Sequence, residues 1–381
     1  MNQRIASPAL LSTLFAMAIT SCLAMPRVAQ AQACTPDFDL VASPNAEAHN
    51  RLDGVAVIAD DDVWAVGSSF AQQFTVPYHA LIEHWDGVRW TIVSAPSPPV
   101  SSELRGVSAV ATDDVWTVGS NIPQTGFVPP QPLIEHWDGS QWTIVPSPNA
   151  NGHSFLNAVA ALAADDVWAV GESGPAAVFM HWDGTEWTVV PSPADAGRRF
   201  AIAALASDNI WASGASRFDD MHVFTHWDGT SWTTVPNPPL GDGAVDFFGI
   251  SAAAPDDIWS VGDARFSQCD DTCMDFEFAE VEHWDGSGWQ RVVGPPTISG
   301  YSGLQNVTAQ AAQRIWVTGH SDGTIVALWD GTRWINAPSI DGGNGGGFFS
   351  LAPTPSGDVW AVGTISAGSQ RRTLTARYFC R

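Results

Sequence analysis

Five histidines stand at one fixed place in the chain, each just before a tryptophan: His84, His136, His181, His226 and His283. Imidazoles at regular spacing could ring a metal ion. The pattern itself argues for another role. The two remaining copies carry Leu328 and Tyr378 at that place, and ligands held by separate repeats lie too far apart to share one ion. Each histidine is therefore expected to hydrogen-bond within its own repeat. The aspartate pairs, such as Asp165-Asp166, read as turn formers, because no loop alternates oxygen ligands as a calcium loop does. Only Asp270-Asp271 and Asp275 keep a cation-binding alternative. No cofactor and no metal are expected.

Catalytic signatures are equally sparse. The chain has no nucleophile elbow and no His-Glu-x-x-His segment. Scattered carboxylates keep a glycosidase or lyase site at a central mouth as an alternative to a pure binding role. Nineteen tryptophans invite a sugar-stacking role, yet every one falls at a repeat position and is expected in the core. Partly exposed copies would still form shallow, symmetry-related sugar sites. What stands out is a set of arginines, aromatics and histidines in variable segments of an acidic protein: Tyr78, His79, Phe155, Arg198, Arg199, Arg217, Phe218, Arg265, Phe266, Tyr301 and His320. Phe247-Phe248 and Phe348-Phe349 are expected beside the central mouth. Guanidinium groups pair with carboxylates and stack on rings, so this set is suited to recognition.

The elements that must position these residues are repeats. Val63-Trp64-Ala65-Val66-Gly67 returns around Trp116, Trp168, Trp211, Trp259, Trp316 and Trp360, making seven copies. His84-Trp85-Asp86-Gly87 with Trp90 returns as Trp137/Trp142, Trp182/Trp187, Trp227/Trp232, Trp284/Trp289 and Trp329/Trp334, making six. Each repeat offers four strands, as in Leu156 to Leu162, Val167 to Gly171, a stretch ending at His181-Trp182, and Trp187 to Val190. Asx residues turn the first pair of strands. Asp-Gly supplies the positive φ of a two-residue hairpin, and Pro-Ser-Pro ends the fourth strand. Four antiparallel strands repeated seven times predict an all-β fold, a seven-bladed β-propeller of four-stranded blades.

The missing tryptophan pair is sought at the two ends. Phe379 takes the third-strand place and Phe38 the fourth, since Phe38 precedes Trp64 by 26 residues, as Trp90 precedes Trp116. An N-terminal strand thereby completes the last blade. Cys380 then occupies the turn aspartate's place, and Cys34 precedes Phe38 by four residues, so both cysteines fall at one turn. A Cys34 to Cys380 disulfide is expected, leaving Cys269 and Cys273 for a local staple. Residues 1–33 read as a secretory signal peptide, with an apolar run from Ala9 to Met25 followed by a small-x-small stretch. Lipidation at Cys22 is the alternative. Residues 34–381 form the propeller, with no membrane span. All sixteen basic residues are arginine against 40 Asp and Glu, for a formal net charge of −24; such a surface repels phosphate backbones, which excludes nucleic acid as the expected partner.

The order Val-Trp-Ala-Val-Gly, variable loop, Leu-Ile-Glu-His-Trp-Asp-Gly and a following Trp resembles the kelch-type repeat of the galactose-oxidase central domain, over residues 34 to 380. It differs in having one Gly after the second strand and Asp-Gly in place of a longer turn. A galactose-oxidase-like copper–radical site would require a Cys crosslinked to Tyr with further Tyr and His ligands. Three tyrosines and four paired cysteines do not provide one. The expected function is a secreted, periplasmic or cell-surface binding module that recognises an extracellular protein or glycan through its variable-loop face. An envelope scaffold without a small ligand is a further alternative.

Overall fold

The computed structural model describes residues 34–72, 77–96, 101–122, 129–215, 223–239, 243–269, 273–296, 303–320, 323–340 and 346–381, with the side chains at 151, 267–269, 273–276 and 320 left outside. These residues belong to the compact unit Cys34–Arg381. The leader segment 1–33, Arg217, Phe218, Tyr301, Asp270-Asp271, and the side chains of His320, Cys269, Cys273 and Asp275 lie outside the described residues.

Apart from a short 3-10 turn at Ala150–Gly152, all regular structure described is β-strand. Five four-stranded antiparallel sheets and one eight-stranded sheet follow one another. The eight-stranded sheet divides naturally in two. His49–Ala59, Asp62–Phe70, His79–Trp85 and Trp90–Ile92 form repeat 1; Gly347–Pro353, Val359–Ala367, Gln370–Cys380 and Pro36–Leu40 form repeat 7. A single parallel pairing, His49 with Arg371, joins them. No sheet runs continuously through all the repeats.

Local chemistry explains the regularity. In the turn between the third and fourth strands of repeat 1, Asp86 Oδ1 accepts the Val88 and Arg89 amides at 2.9 and 2.8 Å. Gly87 there has φ +86°, a conformation glycine adopts without steric cost. Four residues separate the paired Trp85 and Trp90, so the turn is longer than the two-residue loop that the Asp-Gly dipeptide predicts. The carboxylate reaching across the turn closes the wider loop.

Tryptophans fill the joints between repeats. Trp64 of repeat 1 meets Trp137 and Trp142 of repeat 2 at 5.0 and 5.2 Å between ring centroids. The same contact recurs down the chain, ending with Trp360 of repeat 7 on Trp85 and Trp90 of repeat 1 at 5.1 and 5.2 Å. Innermost first strands also touch in sequence, and that of repeat 7 touches that of repeat 1.

The terminal strand pairs as expected, with one correction. Val359 pairs with Tyr378 and Trp360 with Arg377, whereas in repeat 1 Val63 pairs with Trp85 and Trp64 with His84. Tyr378, not Phe379, therefore takes the third-strand tryptophan slot, and Arg377, not Tyr378, takes the histidine slot. Tyr378 is fully buried, 5.3 Å from Phe38 and 6.1 Å from Trp316. Phe379 is half-buried under the Arg381 guanidinium. One residue of slip turns every side chain to the opposite face, and burial of Tyr378 decides the register. Arg377 keeps the polar logic of its slot by pairing with Asp358 at 2.7 Å. Cys34 and Cys380 are joined by a disulfide.

Candidate functional site

The histidines are accounted for first. His84, His136, His181 and His283 bind Asp62, Asp114, Asp166 and Asp257 at 2.8 to 2.9 Å, and His226 binds Asn209 at 2.9 Å. The same Asp114, Asp166 and Asp257 oxygens also accept the indole N–H of Trp116, Trp168 and Trp259. Each histidine thus locks its own repeat.

The mouth is built from a defect shared by all seven repeats. Each innermost strand carries one extra residue that drops out of register with the second strand: Asp53, Arg105, Asn157, Phe200, Phe248, Gln305 and Phe349. Such bulges bend a strand and re-aim a side chain. The glycine that ends the second-strand motif makes room for the defect. A Cβ on Gly67 would lie 2.0 Å from the Arg51 carbonyl oxygen, and one on Gly171 1.9 Å from that of Phe155. Every bulged residue precedes its glycine by the same 14 positions, from Asp53 and Gly67 to Phe349 and Gly363.

The bulged residues line a cavity of about 430 Å³, together with Arg51, Phe70, Tyr78, Glu103 and Arg371. All seven also line a smaller space of about 280 Å³ that reaches the innermost-strand backbones. One sector of the ring is charged and polar. Arg51 Nε donates to Asp53 Oδ1 at 2.5 Å while its guanidinium carbon sits 4.1 Å from the centre of the Phe349 ring. Arg105 donates to Glu103 Oε1 through Nε and Nη2 at 3.1 and 2.7 Å, and through Nη1 to Asn157 Oδ1 at 2.7 Å. Asn157 in turn donates to the Arg199 carbonyl at 2.8 Å. Burial pushes the Asp53 carboxyl up, and Arg51 and Arg105 pull it back. The other sector is aromatic: Phe200 and Phe248 stack at 5.2 Å and 30°. Aromatic faces and fixed guanidinium forks give the mouth the means to hold an apolar group and an anionic group at once.

Among the residues singled out from the sequence, Tyr78, Phe248 and Phe349 line this cavity. Phe155 and Arg198 stand beside it, Phe155 with the Arg105 guanidinium 5.7 Å from its ring centre and Arg198 with its own guanidinium 5.4 Å from the Phe200 centre. Arg199 turns the other way. It is fully buried in the slot that Leu52, Leu104 and Leu156 fill elsewhere, donating to Thr225 Oγ1 at 3.3 Å, and burial lowers its pKa to about 9. His79 pairs with Glu47 at 2.6 Å. Arg265 is held by Asp246 and Asp263 on a long hairpin, Asp257–Cys269 with Cys273–Trp284, where Phe266 packs near Phe278 at 6.3 Å. The hairpin pairs Cys269 opposite Cys273. The sequence reading missed Asp53, Arg105, Asn157, Phe200 and Gln305, with Arg51, Glu103 and Arg371 beside them. Their types share nothing, but the 14-residue step to each motif glycine marks the bulged positions.

Four-stranded sheets arrayed in chain order around such a mouth define a β-propeller. Solved structures agree with that class. YCF48 bound to a D1 peptide superposes with a TM-score of 0.58 at 16% identity, covering 90% of this chain and 94% of that one. YCF48 from Cyanidioschyzon merolae gives 0.57 at 15%, covering 91% and 99%, and the RRP9 WD40 repeats give 0.58 at 14%, covering 92% and 99%. At these identities the likeness concerns the fold. No protein family matches the sequence, and no curated protein does. Among the described residues no helix is long and apolar enough to cross a membrane.

Proposed function

We propose that this protein is a secreted, seven-bladed propeller, closed between its first and last repeats, that binds an extracellular protein segment across its mouth. The observation that carries the reading is the set of seven bulged residues, alike in position but mixed in type, three phenylalanines beside an aspartate, an arginine, an asparagine and a glutamine. A scaffold that needed these side chains for packing would repeat them, as it repeats its tryptophans. Closure is supported by the contacts of Trp360 with Trp85 and Trp90 and by the terminal disulfide. Export is supported by the leader-like segment 1–33, with Cys22 lipidation as its alternative, and by the disulfide, which belongs to an oxidising compartment. Kinship with kelch-type repeats in particular rests on the sequence motif. A peptide-bound propeller of similar fold, YCF48, supports a protein segment as the ligand. Asp53 and Glu103, the carboxylates of the mouth, are each engaged by an arginine, which favours binding over hydrolysis there.

The test is selection of binders from a random library of 12-residue peptides on the purified protein. Binders that weaken at least tenfold on Phe248→Ala or Phe200→Ala, and keep their affinity on Trp227→Ala, support the mouth. Binders indifferent to both mouth variants would refute it.

A glycan is the second reading, favoured by half-buried tryptophans on the opposite face. Trp227 with Trp168 and His181 lines a cleft of about 680 Å³ between repeats 3 and 4, and Trp329 with Trp259 and His283 lines one of about 560 Å³ between repeats 5 and 6. Glycan-array binding lost on Trp227→Ala would favour this reading over the first.

A further inference from the structure

The charges in the mouth do not cancel, and the imbalance has a location. Arg51, Arg105 and Arg371 line the cavity against Asp53 and Glu103. This is a net positive pocket in a chain whose formal net charge is −24. The three arginines are not equivalent. Arg105 spends all three of its nitrogens on Glu103 and Asn157. Arg51 uses only Nε, on Asp53, leaving its two terminal amino groups without a hydrogen-bond partner among the described residues. The Arg371 guanidinium makes no ion pair among them, while its backbone is tied to His49 by strand pairing.

The neighbouring carboxylates are taken elsewhere: Glu47 by His79, Glu172 by Arg198, and Asp246 by Arg265. The terminal amino groups of Arg51 and the guanidinium of Arg371 therefore offer donors with no acceptor among the described residues. Arg51 is also oriented, its fork held by Asp53 below and its plane against Phe349. An oriented guanidinium with free terminal amines matches the bidentate geometry of a carboxylate. Phe200 and Phe248, from repeats 4 and 5, supply a stacked apolar surface in the same cavity.

Resting on the reading of the mouth as a peptide site, we propose that it selects acidic segments. A carboxylate docks on Arg51 and Arg371, and an aromatic or large apolar residue a few positions away lies on the Phe200–Phe248 pair. In a chain of formal net charge −24, a net positive mouth attracts such a ligand against the overall repulsion, so charge sets register as well as affinity.

The binders selected above test this by fluorescence anisotropy, each measured against a version with its Asp and Glu changed to Asn and Gln. The acidic form should bind at least tenfold tighter at 50 mM salt, with the gap narrowing at 0.5 M as screening sets in. In the double variant Arg51→Gln/Arg371→Gln the two forms should bind alike, while Phe200→Ala weakens both. Equal binding of the acidic and amide forms to the unaltered protein overturns the inference, as does an acid preference that survives the double variant. Either result leaves the mouth reading intact provided Phe200→Ala or Phe248→Ala still weakens binding. Binders indifferent to both variants, or no binders at all, overturn both.

Discussion

The tryptophan belt and the mouth are made by the same seven repeats under opposite rules. In the belt, position and residue type both recur, so that Trp64, Trp116, Trp168, Trp211, Trp259, Trp316 and Trp360 all lie buried against the following repeat. In the mouth only the position recurs. Asp53, Arg105, Asn157, Phe200, Phe248, Gln305 and Phe349 occupy one bulge position with five residue types, charged, amide and aromatic. The difference separates what the fold needs from what the fold presents. A bulge leaves its residue unpaired while its neighbours stay in register, so the side chain there can change without disturbing the sheet.

If that division is real, stability should respond in the belt and stay level in the mouth. Trp360→Ala, which empties the joint between repeats 7 and 1, should cost about 3–5 kcal/mol in denaturant unfolding. Gln305→Ala should fall within about 0.5 kcal/mol of the unaltered protein, and a mouth variant as costly as the belt variant would erase the contrast. Removing the terminal disulfide should rank next: Cys34→Ser/Cys380→Ser should lose about 2–4 kcal/mol, checked by the same unfolding curves. Gly171→Ala sits where the two regions meet, because its Cβ would press on the Phe155 carbonyl that the bulge pushes inward. About 1–3 kcal/mol of overpacking should appear there, together with a disturbed mouth.

The belt also carries a pH dependence. Glu83, Glu135 and Glu282 are fully buried beside the tryptophans of the third strand, and burial raises each carboxyl to about 8. A raised pKa in the fold means that stability is whole below the ordinary value of 4.5 and drains away as pH climbs through about 8. Thermal unfolding should therefore move to lower temperature between pH 6 and pH 9. Glu83→Gln/Glu135→Gln/Glu282→Gln should flatten that slope, and an unchanged slope would show that these groups do not carry it.

Much of the belt was legible in the sequence because its residues are few in kind and evenly spaced. The Trp motifs gave the repeat number and the strand order, and Cys34 four residues before Phe38 gave the disulfide. Spacing failed at Phe379, where two aromatics stand side by side and only burial distinguishes Tyr378 as the core residue. Arg199 misled for the related reason that strand alternation points it inward although its type suggests the surface. The mouth was legible only at Tyr78, in a variable segment, and at Phe248 and Phe349, where doubled phenylalanines break the pattern. Asp53, Arg105, Asn157 and Gln305 have no type in common, and their signal lies in a backbone defect announced by a glycine 14 residues later.

The separation of mouth from belt is tested most directly by amide hydrogen exchange on the protein with and without a selected peptide. Protection should rise in the innermost-strand segments around residues 51–53, 103–105, 198–200 and 347–349, with the Asp-Gly turns at 86–89 and 138–141 unchanged. Protection of those turns, with the innermost strands unaffected, would contradict the account.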